Sequence, residues 1–451
     1  MTSTTIEPVN WDTLISELSG IEVITDSAQL AKLSLDYYHF SPVLQTQLSD
    51  KRGDVVVRPS SEAQVLQVAR VCLKYKVPLT VRGAGTGNYG QCIPLRGGVI
   101  LDTSQMNAIN WIKPGLACLE PGVKLATFDK KAHEIGWELR MAPSTYRSAT
   151  IGGFIGGGSA GIGSITYGQL RDRGNLHAVR VVTMEDEPRV IELRGDDVQK
   201  VNHAYGTNGI ITQLEIPLAP AYPWAELIVV FDDFMKAARF GCALSYSDGL
   251  IKKLISIHAW PIPSYFAALQ NYLPEGKHCA LLMIAESCLE PLQDLIREYG
   301  GGITYHKSAQ EAKKGVSLAE FTWNHTTLHA RSVDSNLTYL QTSFPIDPQL
   351  QLVKQMCEHF GEEVMMHLEF LRGGGEVIPV GLQIVRYTTP ERLNEIIRYH
   401  EEQGALIANP HTYILEDGGM KTVNLEQLKF KEMVDPYGLL NPGKMRAWEE
   451  L

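Results

Sequence analysis

The chain has 451 residues, more than one small hydrophobic core needs, and so predicts two domains. Hydrophobic residues make up 44% and charged residues 20%, an ordinary globular balance that argues against long disorder. A formal charge of −10 argues against the broadly basic surface that nucleic-acid binding needs, yet leaves room for a local basic pocket.

Met1 to Asn10 has neither a basic nor an apolar region, so no signal peptide is expected. Residues 54–58 read as a Val-rich strand closed by Pro59. Ser61 then caps a helix, with Gln64 placed for the capping box. Val65, Val68, Ala69, Cys72 and Leu73 give that helix one apolar face. Residues 79–82 read as the next strand, and strand, helix, strand and glycine-rich turn form an α/β nucleotide-binding arrangement. Strands are expected at 98–102 and 117–120, a helix at 125–135, and a β-pair at 178–183 and 190–193. Residues 148–170 carry no charge and eight glycines, a length that invites a membrane reading. That much glycine disfavours helix, so the stretch reads as a buried ligand-binding loop. A strand at 210–218 leads into a linker at 219–223. Beyond it, helices at 234–244 and 291–299 alternate with strands at 280–285 and 377–385, and a last helix covers 425–434.

The seven cysteines, Cys72, Cys92, Cys118, Cys242, Cys279, Cys288 and Cys357, form no C-x-x-C pair. They read as reduced thiols of a cytoplasmic protein, compatible with peripheral attachment to a membrane.

Arg82-Gly83-Ala84-Gly85-Thr86-Gly87-Asn88-Tyr89-Gly90 directly follows a predicted strand. Glycines allow positive φ and let backbone N–H groups approach an anion, so a pyrophosphate is the natural guest. The competing reading is a tight structural turn. A Rossmann fingerprint would need glycine at Asn88, and no Gly-Lys-Ser/Thr follows for a Walker loop.

A second set of signals follows: Pro143-Ser144-Thr145, Thr150-Ile151-Gly152-Gly153, Tyr167-Gly168 and Gly206-Thr207-Asn208-Gly209-Ile210-Ile211-Thr212. In this order and spacing, with the first loop, they resemble the FAD domain of the vanillyl-alcohol oxidase and para-cresol methylhydroxylase superfamily. The D-lactate, glycolate and D-2-hydroxyglutarate dehydrogenase branch is the nearest in look. The resemblance implies an α+β chain. A two-lobed FAD-binding domain of the para-cresol methylhydroxylase type, a βαβ lobe plus a mixed sheet, would cover 1–220. A second α+β substrate (cap) domain would cover 221–420, and 421–451 would return to the first domain.

The resemblance further implies hydride transfer from a small 2-hydroxy acid of the glycolate or D-lactate type to FAD. The partners would be that substrate and an electron acceptor, with no nucleic acid and no integral membrane segment; an oligomer is compatible. The alternatives are a sugar, lactone or alcohol oxidase or dehydrogenase, or a flavin-binding subunit of a larger dehydrogenase complex.

By resemblance the pyrophosphate role falls on Arg82, Gly83, Ala84, Gly85, Thr86, Gly87 and Asn88. Pro143, Ser144, Thr145, Thr150, Gly152 and Gly153 would lie along the flavin, Gly209, Ile210 and Ile211 would offer backbone contacts, and Asn441 and Lys444 would return with the C-terminus. Many relatives carry a covalently linking histidine where Thr86 stands, so FAD is expected to bind non-covalently. The branch's histidine-rich metal segments are incomplete: His367 lacks its second histidine and Asp417 replaces another, so no metal is expected.

Hydride transfer from a C–H bearing a hydroxyl needs a base and a substrate anchor. His411, just before the return segment, is the expected base, with Tyr413 and Glu416 as alternatives. Arg331 or Arg372 would clamp a carboxylate bidentately. His325 and His329 stand at i, i+4 and read as a metal pair or as surface histidines. His367 and Glu369 share a strand face, either aimed at the pocket or part of the core.

Overall fold

The computed structural model describes residues 9–312, 314–418, 423 and 425–451. Strands Val55–Arg58, Val99–Asp102 and Leu79–Arg82 lie side by side in parallel, with Glu22–Ile24 antiparallel at the edge. Parallel strands need a crossover, and helix Glu62–Tyr75 supplies it. Ser61 Oγ accepts from Gln64 N at 3.3 Å, as a cap should. The reciprocal bond falls one residue earlier than expected, from Ser60 N to Gln64 Oε1 at 2.7 Å. The helix buries Val65, Val68, Ala69 and Cys72 against Val57, Leu79 and Leu101. The glycine loop leaves at the C-terminal end of Leu79–Arg82, where parallel sheets bind ligands.

The second sheet is antiparallel and centres on the long strand Ile210–Pro220. Leu116–Leu119 and Trp137–Leu139 pair along one part of it and Ala178–Val182 along another. Ala178–Val182 pairs in turn with Val190–Arg194, the pair read from the sequence. Helix Leu125–His133 stops short of residue 135 because Gly136, at φ +79°, turns the chain.

The stretch 148–170 corrects the loop reading. Ile151–Gly157 is an α-helix and Ser164–Tyr167 a further helical turn. Thr150 Oγ1 caps the first by accepting from Gly153 N at 3.3 Å. Ile151, Phe154 and Ile155, spaced i, i+3 and i+4, bury into the core of the second sheet. Three apolar anchors and a cap thus outweigh the propensity cost of glycine.

Between Pro220 and Trp224 the chain passes to an eight-stranded antiparallel sheet. Its order is Gly302–Lys307, Trp224–Phe231, His278–Ala285, Lys252–His258, His367–Gly373, Glu376–Gly381, Thr342–Ser343 and Leu406–Ile407. Helices Phe234–Tyr246, Leu289–Glu298, Gln351–Phe360 and Pro390–Glu402 share its core. The single strand expected at 377–385 is two strands in different sheets, Glu376–Gly381 and Ile384–Arg386. Leu382 and Gln383 make the break: Leu382 N donates to His367 O, while Gln383 O accepts from Leu340 N, both at 2.9 Å.

The chain end comes back to the first sheet. Leu79 N donates to Leu439 O and Asn441 N to Leu79 O, each at 2.8 Å. Among the described residues no helix is long and apolar enough to cross a membrane.

Candidate active site

A cavity of about 920 Å³ opens between the glycine loop, helix Ile151–Gly157 and the strands and helix of the eight-stranded sheet region. That is at the upper end of the range for cofactor and small-molecule sites. Gly83, Ala84, Gly85, Thr86, Gly87 and Asn88 line it. Among the described residues, the amide N–H groups of Ala84, Gly85, Thr86 and Gly87 find no protein acceptor. A row of unpaired donors facing a cavity is an anion nest.

Beneath the loop lies Arg82, 8% exposed, its guanidinium donating to Leu35 O at 2.5 Å. A Cβ on Gly85 would fall 2.1 Å from that guanidinium, and the residue sits at φ +65°, so only glycine fits there. Lys444 is also buried behind the loop and donates to Gly90 O at 2.5 Å.

Pro143, Ser144, Thr145, Thr150, Gly152 and Gly153 line the neighbouring wall. Thr145 Oγ1 reaches Thr86 Oγ1 at 3.4 Å. A Cβ on Gly83 would strike Thr150 Oγ1 at 2.3 Å, so the two glycine-rich stretches touch. Gly209 and Ile211 also line the cavity, whereas Ile210 is buried in the sheet core. Asn441 stands behind: its Nδ2 donates to Gln91 O at 2.7 Å and Tyr205 O at 2.6 Å, holding two lining residues. Gly156, Gly157, Gly158 and Gln91 were not singled out from the sequence, although the first three belong to the uncharged run. Gln91 Nε2 donates to Gly157 O at 2.8 Å, tying the loop's end to the helix.

The open row of donors, the glycine-only approach and the cavity size together fit an FAD. Among the described residues, no group of three or more His, Cys, Asp or Glu is placed to hold a metal ion.

The four side chains expected to do chemistry do not converge on this cavity. His411 is buried, with Nε2 at 2.9 Å from Tyr339 O and Nδ1 at 2.8 Å from Ser41 Oγ. A carbonyl only accepts, so Nε2 carries the proton and Nδ1 accepts from Ser41; no lone pair is left for a substrate. Arg331 donates to Leu337 O, and Arg372 binds Asp248 and, at 3.1 Å, Ile165 O. Glu416 accepts from Arg446 N at 3.1 Å and Ala447 N at 2.9 Å, which fixes the chain end. His367 and Glu369 face each other at 3.0 Å inside the core rather than the cavity.

Burial pulls the pKa of His411 down to about 4, which yields a pH prediction. The unfolded chain takes up this proton near pH 6.5, the folded one only near 4, so stability falls as pH drops through that window. The contribution approaches about 3 kcal/mol below pH 4. Urea unfolding at pH 7 and pH 4.5 should show it, and H411Q should lose that part of the slope.

The far wall comes from the second half of the chain: Trp323, Asn324, His325 and Leu328, then Gln341, Thr342 and Ser343, then Leu371, Ile378 and Val380. His325 and His329 lie on helix Asn324–Val333 as their spacing implied. His325 Nδ1 sits 3.2 Å from Glu320 Oε2, and His329 Nε2 3.0 Å from Glu320 O.

Residues 53–191 match the family model described as FAD binding domain. Over 97% of its length the chain superposes on 85% of an alkyldihydroxyacetonephosphate synthase structure, with a TM-score of 0.73 at 17% identity. The chain is an FAD-binding oxidoreductase, and it shares its fold with that synthase and with a 4-ethylphenol oxidase of Gulosibacter chungangensis, matched over 96% of each chain with a TM-score of 0.67 at 17% identity. Within that class it is similar to glycolate oxidase subunit GlcD of Bacillus subtilis (strain 168), 24% identical over 87% of this chain and 89% of that protein. It is also similar to D-lactate dehydrogenase of Anaerostipes hadrus, 30% identical over 38% of this chain and 37% of that protein.

Proposed function

We propose that the protein binds FAD non-covalently in this cavity and oxidises the CH–OH group of a small 2-hydroxy acid of the glycolate or D-lactate type. The observation that carries the cofactor reading is the row of unpaired amides from Ala84 to Gly87 above the buried Arg82. Arg82, Gly83, Ala84, Gly85, Thr86, Gly87 and Asn88 would hold the pyrophosphate. Pro143, Ser144, Thr145, Thr150, Gly152 and Gly153 would flank the flavin, with Gly209, Ile210, Ile211 and Asn441 shaping the remaining backbone. Bound FAD supplies the hydride acceptor. The relatives' names support the 2-hydroxy acid.

A second reading, a neutral alcohol or sugar, is favoured by one observation. Among the described residues, the wall built from Trp323 to Leu382 holds no lysine or arginine, and a buried carboxylate needs a cation. Arg171 and Lys200, which line the cavity from the first half of the chain, are the described cations a carboxylate could use.

The purified protein should be yellow, and acid should release FAD into the supernatant. Colour left on the precipitated polypeptide would contradict non-covalent binding, since Thr86 offers no imidazole to the flavin. Anaerobic addition of glycolate or D-lactate should bleach the flavin absorbance. Bleaching by neutral alcohols or sugars alone would establish the second reading.

A further inference from the structure

We infer that His325 takes the proton of the substrate hydroxyl, with Glu320 and Arg147 fixing its ring for that task. The inference rests on the reading of the cavity as a hydroxyl-oxidising site.

His325 lines the cavity at the start of helix Asn324–Val333. Its Nδ1 lies 3.2 Å from Glu320 Oε2. A carboxylate only accepts, so the proton of the neutral ring sits on Nδ1 and the lone pair on Nε2. Among the described residues, Nε2 has no protein partner. His411 presents the opposite case, with both nitrogens engaged.

Glu320 is itself held. Its Oε1 forms an ion pair with Arg147, 2.8 Å from Nε. Burial pushes the Glu320 carboxyl up, but its contacts with His325 and Arg147 outweigh this and keep it below its ordinary range, so it stays charged. His329 anchors the same turn, bonding Glu320 O and stacking on Phe321 at 4.6 Å. Arg147 follows Thr145, a residue of the opposite wall, so the array bridges the flavin side of the cavity and its far side.

The backbone that presents His325 is strained. Trp323 has φ +52° and ψ −139°, a conformation that bulky residues rarely adopt. It is held by Trp323 N donating to Glu369 Oε1 at 2.8 Å. Glu369 is buried, accepts from Ser256 Oγ at 2.7 Å and lies 3.0 Å from His367 Nε2. Such strain persists where the surroundings over-determine it, as at working sites. Here it sets Trp323, Asn324 and His325 in succession on the wall.

The step balances with groups already named. Bound FAD would supply the two-electron acceptor for the C–H hydrogen, which would leave with its electron pair as a hydride. The O–H proton passes to His325 Nε2, a carbonyl forms, and the imidazolium charge faces Glu320. His325 is then the catalytic residue; Glu320 and Arg147 are positioning residues.

The test uses the FAD-loaded protein and two variants. With H325Q, stopped-flow flavin reduction by the substrate found in the anaerobic screen should slow by about 10²–10⁴-fold. FAD retention and substrate Kd should stay within about threefold, as for a proton acceptor that contributes little ground-state binding. Nitrogen-15 NMR gives a readout independent of activity: the His325 ring should be the Nδ1-protonated tautomer, and E320Q should shift it toward the Nε2-protonated form. An H325Q protein reduced at the wild-type rate, or an Nε2-protonated His325 in the wild type, would overturn the inference. A wild-type protein that binds FAD but is reduced by no hydroxylated compound would instead overturn the functional reading and this inference with it.

Discussion

Gly156→Leu should yield a folded protein that no longer retains FAD. Gly156 lies in helix Ile151–Gly157, its carbonyl accepts from Tyr205 N at 2.9 Å, and it lines the cavity. A Cβ built there meets nothing within 4 Å, so a side chain can leave the backbone into the cavity without moving the glycine's neighbours. Replacing glycine inside a helix by a better helix former gains up to about 1 kcal/mol. The FAD-free protein should therefore melt at the wild-type temperature or slightly above it. The leucine instead fills space that the proposed cofactor needs. FAD affinity should fall by at least about 100-fold, or roughly 2.7 kcal/mol. Fluorescence titration with FAD and a thermal melt of the FAD-free variant separate the two effects. Stoichiometric FAD in purified Gly156→Leu would place the cofactor elsewhere. Gly85→Val makes the contrast, because its Cβ would collide with Arg82 and the damage would reach the loop itself.

What the sequence disclosed and what it hid follow from how each feature is encoded. The helix Glu62–Tyr75 and the pair Ala178–Val182 and Val190–Arg194 were legible because period, cap and turn residues are local. The glycine loop was legible for the same reason: its conformation is written in its own residues. Helix Ile151–Gly157 was not, because its stability comes from Ile151, Phe154 and Ile155 packing on a distant sheet, against local propensity. The direction of a side chain is harder still. His411 stands next to the returning segment, which suggested a pocket, but Ser41 and Tyr339 from far along the chain take both its nitrogens. Arg331 turns to Leu337 and Arg372 to Asp248 for similar reasons. Conversely, the triad of Arg147, Glu320 and His325 draws on two remote segments. In sequence its only trace was a histidine pair at helical spacing, which pointed to metal or surface as readily as to catalysis.

Asp435→Ala should be the most destabilising of the substitutions considered, because it removes one partner of a buried ion pair at the chain's return. Lys431 and Asp435 are 2% and 0% exposed at the side chain, and Nζ lies 2.5 Å from Oδ2. Lys431 also donates to Thr207 O at 2.7 Å, which reaches into the stretch before Gly209. Asp435 accepts from Leu439 N at 2.9 Å and Leu440 N at 2.8 Å. Those two leucines are the ones that meet Leu79, the first residue of the strand that feeds the glycine loop. Alanine would leave a buried ammonium without its counter-charge and two buried amides without their acceptor. Breaking such a pair from one side costs about 3–5 kcal/mol. Burial already pulls the Lys431 pKa down, and without Asp435 it would fall further, so part of the loss should return at high pH as the amine sheds its proton. Replacing both partners by apolar residues of similar volume, as in K431M/D435L, should cost less than D435A alone, since no charge is then stranded. Urea denaturation at pH 7 and pH 9.5 would read these differences. A D435A protein within about 1 kcal/mol of wild type, below the range expected for a stranded buried charge, would mean that the returning segment is held by its apolar contacts instead.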